Sequence, residues 1–378
     1  MKLTILQEKL KEGIEIVERL SAKSLSLPIL NNIFIKAEKN FLNLTTTDLE
    51  TGIKWWGLAK VEKEGVITVP ARVFSSFLNF LPNKQVILEL KNSTLTVECE
   101  NYRTTLKGLN PEDFPIIPQI NEGESVSVDS RSFCQGLSQV ADIATSSTTK
   151  PEISGVFFIF QKDFIKMAAT DSFRLGEKTF YYNLKTASAL SKEYTLILPQ
   201  KAAKEIINIF EGKEGELRIC FSPNQILFEL LMAETSHPQT QLVSRLIEGE
   251  YPNYQEIIPK KYEAQVVFQR NEFLNQIKSA ALFSGKVNEV KFKIDPRKNK
   301  VGIFSQSPDL GEYHGDLTSK IKGKELEVSF NYRFLTDGLL NIKSPEAVFE
   351  LTGSEGPGVL KPAGDESYIY VVMPIKAS

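Results

Sequence analysis

Two carboxylates stand in matching contexts: Asp48 follows Thr47, and Asp171 follows Thr170, 123 positions further on. Paired carboxylates could share acid and base duties at one site. Each, however, holds the same place in its own copy of a repeated sequence. The repetition puts them in separate units, where aspartate serves as a turn or cap residue. The two histidines, His237 and His314, lie far apart with no carboxylate or cysteine at metal-ligand spacing. His237 precedes Pro238 in an expected loop and reads as a surface histidine. Cys99, Cys134 and Cys220 form no CxxC pair, so neither a zinc site nor a disulfide framework is expected. A glycine-rich phosphate loop and a GxSxG elbow are both absent. The expectation is a chain without catalytic residues, metal or cofactor.

The residues that point to a task are cations. Arg72, Lys201 and Arg333 fall in one slot, the first turn of three aligned helices. A cation there opposes the helix dipole by a few tenths to ~1 kcal/mol. One such residue is ordinary surface charge, whereas three recurrences suggest a shared electrostatic task, namely weak contact with phosphates. The six expected helices lean slightly positive as a group, against a slightly negative remainder. Adjacent Trp55 and Trp56 would point to opposite faces of a strand, one of them into the core.

The elements that carry these residues come in three diverged copies of about 125 residues. An amphipathic helix opens each copy. Leu6, Leu10, Ile14 and Val17 share one face, Phe133, Leu137, Val140 and Ala144 the next, and Phe273, Ile277 and Ala280 the third. Strands follow, at Ile33–Ile35, Val156–Phe160 and Val290–Ile294, with turn signals at Lys39-Asn40 and Lys298-Asn299. The second half of each copy opens on a strand: Val66–Pro70, Tyr194–Pro199 and Leu326–Asn331. Each strand runs into a helix with proline or asparagine at its start. Phe74, Phe77, Leu78 and Leu81 align with Ala203, Ile206, Ile207 and Phe210, and with Leu335, Gly338, Leu339 and Ile342. Helices are expected over 7–23, 70–81, 129–145, 199–211, 270–286 and 330–343. Connectors near 118–124 and 252–262 are rich in proline, asparagine or charge. Strand runs with two helices per copy give an α+β fold of three similar domains, each large enough for its own core.

Composition agrees with a globular protein. The chain has 378 residues, 42% hydrophobic and 24% charged, with a net charge of −2. That charge argues against a uniformly basic nucleic-acid coat. Charges at Glu8, Lys9, Lys11 and Glu12 interrupt the apolar start, so no secretory signal is expected. Apolar runs such as Gly155–Phe160 are far short of a membrane span. A soluble, cytoplasmic protein with no membrane partner is the expectation.

From Met1 to about Lys376 the chain resembles the beta subunit family of bacterial DNA polymerase III, the sliding clamps. The resemblance rests on Leu27-Pro28-Ile29-Leu30, Thr47-Asp48-Leu49-Glu50, Val69-Pro70-Ala71-Arg72 and Asp113-Phe114-Pro115. It continues in Ala169-Thr170-Asp171-Ser172-Phe173-Arg174-Leu175, Gly249-Glu250-Tyr251-Pro252-Asn253-Tyr254 and Tyr370-Val371-Val372-Met373-Pro374-Ile375. It implies domains over 1–120, 121–252 and 253–378, with two helices each packed on antiparallel sheets. Two chains would form a homodimeric ring, helices inward, around duplex DNA held without sequence preference. Arg72, Lys201 and Arg333 would face phosphates, with Lys23 and Lys150 in loops that also touch DNA. A groove between the second and third domains would bind the polymerase III catalytic subunit, the clamp loader and other proteins bearing a clamp-binding motif. Its matching positions are Ile153, Thr170, Phe173, Arg174, Leu175, Pro252, Val371, Met373, Pro374 and Ile375. The dimer interface would include Leu106, Leu282 and Phe283. Phe173 stands where the family often has histidine, Glu256 lies near a usual arginine, and Lys376 replaces a common arginine. Two other readings compete. A pseudo-threefold enzyme would need converging acids, bases or metal ligands. A scaffold that never encircles DNA leaves the recurrent cation without a reason.

Overall fold

The computed structural model describes residues 1–21, 27–117, 120, 124–145, 149–182, 190 and 192–375. Six helices appear among them: α1 (Gln7–Glu18), α2 (Ala71–Leu78), α3 (Ser130–Ala141), α4 (Gln200–Phe210), α5 (Arg270–Ala281) and α6 (Tyr332–Asn341). All are shorter than their expected spans. Proline at position 70 closes a strand instead of opening α2, because its ψ of 116° keeps it extended. After α1 and α5 the chain tightens into three-residue hydrogen-bonded turns, such as Leu20 N–H to Val17 O and Phe283 N–H to Ala280 O.

The apolar faces of the three opening helices are buried, with one exception. Leu10, Ile14 and Val17 are almost inaccessible, as are Phe133, Leu137, Val140, Phe273, Ile277 and Ala280. Leu6, expected on the α1 face, is the last residue of a strand and is 48% exposed. Trp55 is buried and Trp56 half-buried, as alternation requires. Trp55 fits against α1 because Gly13 has no side chain: a Cβ there would lie 2.4 Å from the indole.

By contact the chain divides into two compact units, not along its three repeats. The first comprises Met1–Gln135, Tyr182–Lys192 and Lys201–Ile247, and the second Gly136–Tyr181, Glu193–Gln200 and Glu248–Ser378. The middle repeat is shared, and the sheets give the physical reason. In the first unit, Thr51–Leu58 of the first repeat pairs antiparallel with Pro238–Arg245 of the second. An eight-stranded sheet results, alongside a five-stranded sheet that ends on Tyr102–Lys107. In the second unit, Arg174–Tyr181 of the second repeat pairs with Tyr368–Val372 of the third, which makes a nine-stranded sheet. A four-stranded sheet there ends on Gly311–Thr318. Each cross-repeat ladder commits backbone hydrogen bonds that no connector could replace.

The two Thr-Asp sequences build the same turn. Asp48 Oδ1 accepts from the amides of Glu50 (3.1 Å) and Thr51 (2.7 Å). Asp171 Oδ1 accepts from those of Phe173 (3.0 Å) and Arg174 (2.9 Å). The preceding threonine hydroxyls donate to Thr51 O and Arg174 O, at 2.8 and 2.7 Å. Leu49 and Ser172 hold the equivalent left-handed position, at φ 78° and 75°. Each aspartate is a turn residue within its own unit, as expected from the repeat.

Candidate nucleic-acid interface and peptide groove

Arg72, Lys201 and Arg333 are each the second residue of their helix, and each is exposed. Their neighbours differ. Arg72 makes no ion pair among the described residues. Lys201, with 65% of its side chain exposed, donates to Asp48 Oδ2, the carboxylate oxygen that the turn leaves over. Arg333 folds over the ring of Tyr332, 5.9 Å from its centroid. Its own amide is capped by Asn331 Oδ1 at 3.0 Å. Lys150 is exposed and precedes the single turn Pro151–Ile153. Lys23 and Lys376 lie outside the described residues.

The groove positions fall into two groups. Thr170 pairs with Leu175, and Leu175 with Val371, so three adjacent strands present these side chains in one row. The same face carries Phe157 and Glu177, two residues along the strands. Tyr251 stacks on Phe157 at 4.7 Å, and the Tyr254 hydroxyl donates to Glu177 at 2.6 Å. Those two tyrosines hold exposed Pro252 on the row's side of the sheet. Ile153 is buried just before the strand Gly155–Phe160. Met373 continues from the last strand, its amide donating to Phe173 O at 2.9 Å. Pro374 is half-buried, and so is Ile375, whose amide donates to Ser329 O at 2.8 Å.

Arg174 points the other way. It pairs with Val372, on the face opposite the row, and its guanidinium bonds Asp171 Oδ2 (2.9 Å) and Asp337 Oδ2 of α6. It also lies 4.9 Å from the Phe334 ring. Burial by itself would depress its pKa, but Tyr370, Asp337 and Asp171 outweigh burial and hold it above its ordinary value. Phe173, 62% exposed at the turn tip, stacks on Phe334 at 6.3 Å. Phe334 and Asp337 are neighbours of Arg174 that sequence reasoning misses. Asp337 stands 163 positions from Arg174, and no local signal ties its helix to the turn.

The three proposed interface residues differ in exposure. Leu282 is 70% exposed, and half-buried Phe283 stacks on Tyr313 of the edge strand Gly311–Thr318 at 6.5 Å. Leu106, in the edge strand Tyr102–Lys107, is 5% exposed, so it packs into its own sheet. His237 is not a free surface histidine. Its ring stacks on Phe41 at 4.2 Å and meets Trp56 edge-on at 5.6 Å. All three cysteines are buried, and burial pushes the Cys134 thiol up to about 12. No cluster of three or more metal-ligating side chains occurs among the described residues, nor does a helix long and apolar enough to cross a membrane.

Fold and site together define a DNA-clamp type of protein, with three repeats joined by shared sheets. The N-terminal, central and C-terminal domain models of the DNA polymerase III beta subunit match residues 1–118, 127–253 and 255–376, and the chain belongs to that family. It is 26% identical to the beta sliding clamp of Synechococcus elongatus, over 100% of this chain and 99% of the relative. Its identity to that of Staphylococcus aureus is 27%, over 93% of each. The crystal structure of the Bacillus subtilis DNA polymerase sliding clamp superimposes with a TM-score of 0.92 and 25% identity, covering 100% of both chains. That of a Pseudomonas aeruginosa sliding clamp bound to griselimycin gives 0.92 at 23% identity, again over 100% of both chains. The chain is thus a DNA polymerase sliding clamp, a non-catalytic processivity factor of DNA polymerase III.

Proposed function

We propose that two copies of this chain close head to tail into a ring that encircles duplex DNA and slides along it. One observation carries the reading. In the first and second repeats the third strand of the first half pairs with the last strand of the next repeat. The series leaves Gly311–Thr318 and Tyr102–Lys107 as sheet edges. A second copy supplies each with its missing partner, and the merged sheet has nine strands, like the one within the second unit. The first edge carries Glu312 and Asp316, the second Arg103 and Lys107, opposite charges at the same four-residue spacing, which favours their meeting. Exposed Leu282 and half-buried Phe283 beside the first edge support it too, with Leu106 backing the second.

Retention then comes from topology, and the DNA contacts need only be weak. Arg72, Lys201 and Arg333, with Lys23 and Lys150 in loops, contact phosphates without reading sequence. The row Thr170–Leu175–Val371, with Ile153, Phe173, Pro252, Met373, Pro374 and Ile375, receives short peptides of the polymerase III catalytic subunit, the clamp loader and other partners. Repeat limits of 1–120, 121–252 and 253–378 and a cytoplasmic location complete the reading.

The test is to load the protein onto nicked circular DNA with a clamp loader and then linearise the circle. A ring stays on the closed form and slides off the free ends. Equal retention on both forms refutes encirclement.

A further inference from the structure

We infer that the first unit carries a docking surface of its own, on the sheet face turned away from α1, for an extended acidic–aliphatic peptide of a partner protein. It lies in the other unit from the groove.

Alternation puts Lys54, Trp56 and Leu58 of one strand on that face, because Trp55 between them is buried against α1. Phe41 stands directly across from Leu58. His237 stacks on Phe41 and meets Trp56 edge-on, so the three rings form one platform. Next to it is a cavity of about 520 Å³, where Ile5 and Leu6 of the five-stranded sheet meet Leu58 of the eight-stranded one. Leu6 and Leu58 on its rim are 48% and 50% exposed. Platform and cavity leave a continuous apolar surface in water.

The other repeats show that the fold does not require this. Register aligns Phe41, Trp56 and Leu58 with Lys300, Asp316 and Thr318 of the third repeat. There Lys300 pairs with Asp316 at 2.7 Å, and a cavity of about 570 Å³ in the same place is lined by Gln269, Thr318 and Lys320. One backbone thus supports a polar corner in one repeat and an apolar corner in another. Lys54 differs in the same way from its counterpart in the second repeat, Glu177. That carboxylate accepts from the Tyr254 hydroxyl and pairs with Lys166 at 3.4 Å. The ammonium of half-buried Lys54 has no ion pair or hydrogen bond among the described residues. Its neighbours across the strands, Gln241 and Thr45, are neutral, and burial lowers its pKa with no carboxylate to offset the effect. A partner's carboxylate supplies the missing counter-ion, and an aliphatic side chain fills the cavity. At about 3.3 Å per residue, Lys54 and Leu58 are about 13 Å apart, so an extended peptide presents its two groups four residues apart.

The experiment uses the full-length protein and four fluorescein-labelled nine-residue peptides. They differ by Glu or Lys at the third position and by Leu or Ser at the seventh. Fluorescence anisotropy should show the Leu peptides binding about tenfold tighter than the Ser peptides. The Glu peptides should bind several-fold tighter than the Lys peptides, a gap that closes near 1 M salt, where the Debye length is about 3 Å. Lys54→Gln should erase the Glu preference and keep the Leu preference. Leu58→Thr, which introduces the residue of the third repeat at an exposed position, should do the reverse. Absent or equal binding of the four peptides overturns the inference, and so do preferences that neither substitution alters. Binding lost on deletion of residues 373–378 assigns the peptides to the groove and overturns it as well.

Discussion

Replacing Arg174 with alanine should loosen the join between the two strands that link the second and third repeats. Its side chain is 11% exposed, Asp171 is 9% and Asp337 50%. Removing one partner of a buried pair costs about 3–5 kcal/mol, because the remaining charge stays dry. Here Asp171 is stranded, whereas Asp337 can rehydrate, so about 3 kcal/mol is expected. The local readout is hydrogen exchange of the Met373 amide, which is tied to Phe173 O. At about 1.4 kcal/mol per factor of ten, exchange should accelerate about a hundredfold if that amide opens locally. Asp171→Asn keeps the oxygen that caps the turn and loses only the charge, so about 1–2 kcal/mol is expected. Asp337→Asn should cost less than about 1 kcal/mol. An Arg174→Ala effect below about threefold, or an Asp337→Asn effect equal to that of Arg174→Ala, would refute this reasoning.

Three further outcomes are expected. Burial alone would raise the Glu12 carboxyl, but the hydrogen bond and charge of Lys213, with Lys9 behind, hold it below the ordinary 4.5. A depressed carboxyl adds stability above that value and loses it as pH falls through the lowered one, so Lys213→Met should flatten the acid limb of a melting-temperature profile. An unchanged acid limb would sink that assignment. Arg72/Lys201/Arg333→Ala should sediment like the native protein yet support DNA synthesis poorly, and full activity would reduce these cations to surface decoration. Gly13→Ala gains about 1 kcal/mol of helix propensity but drives a methyl into Trp55, so overpacking of about 1–3 kcal/mol or more should lower Tm. A raised Tm would contradict the packing.

Much of the architecture is legible because its signals are short in range. The faces built on Leu10, Phe133 and Phe273 follow from spacing along one helix, and the Asp48 and Asp171 turns from bonds spanning three residues. The recurrent cation is legible for the same reason, as a position relative to a helix start. Element ends elude the pattern where backbone conformation decides them, as at Pro70, which closes its strand.

Other features require distant parts of the chain to meet. Asp48 can be read as a turn residue, but not as the acceptor of Lys201, 153 positions away. Arg174 can be matched to a groove, yet register puts it on the helix side, against Asp337 and Phe334. His237 reads as solvent-facing from its neighbours, whereas the fold sets it against Phe41 and Trp56. The same limit governs the division of the chain. Three repeats follow from the sequence alone, since each copy carries its own helices and turns. Only the tertiary structure makes them two compact units, since strand pairing satisfies backbone groups across repeats and side chains do not specify that partner locally.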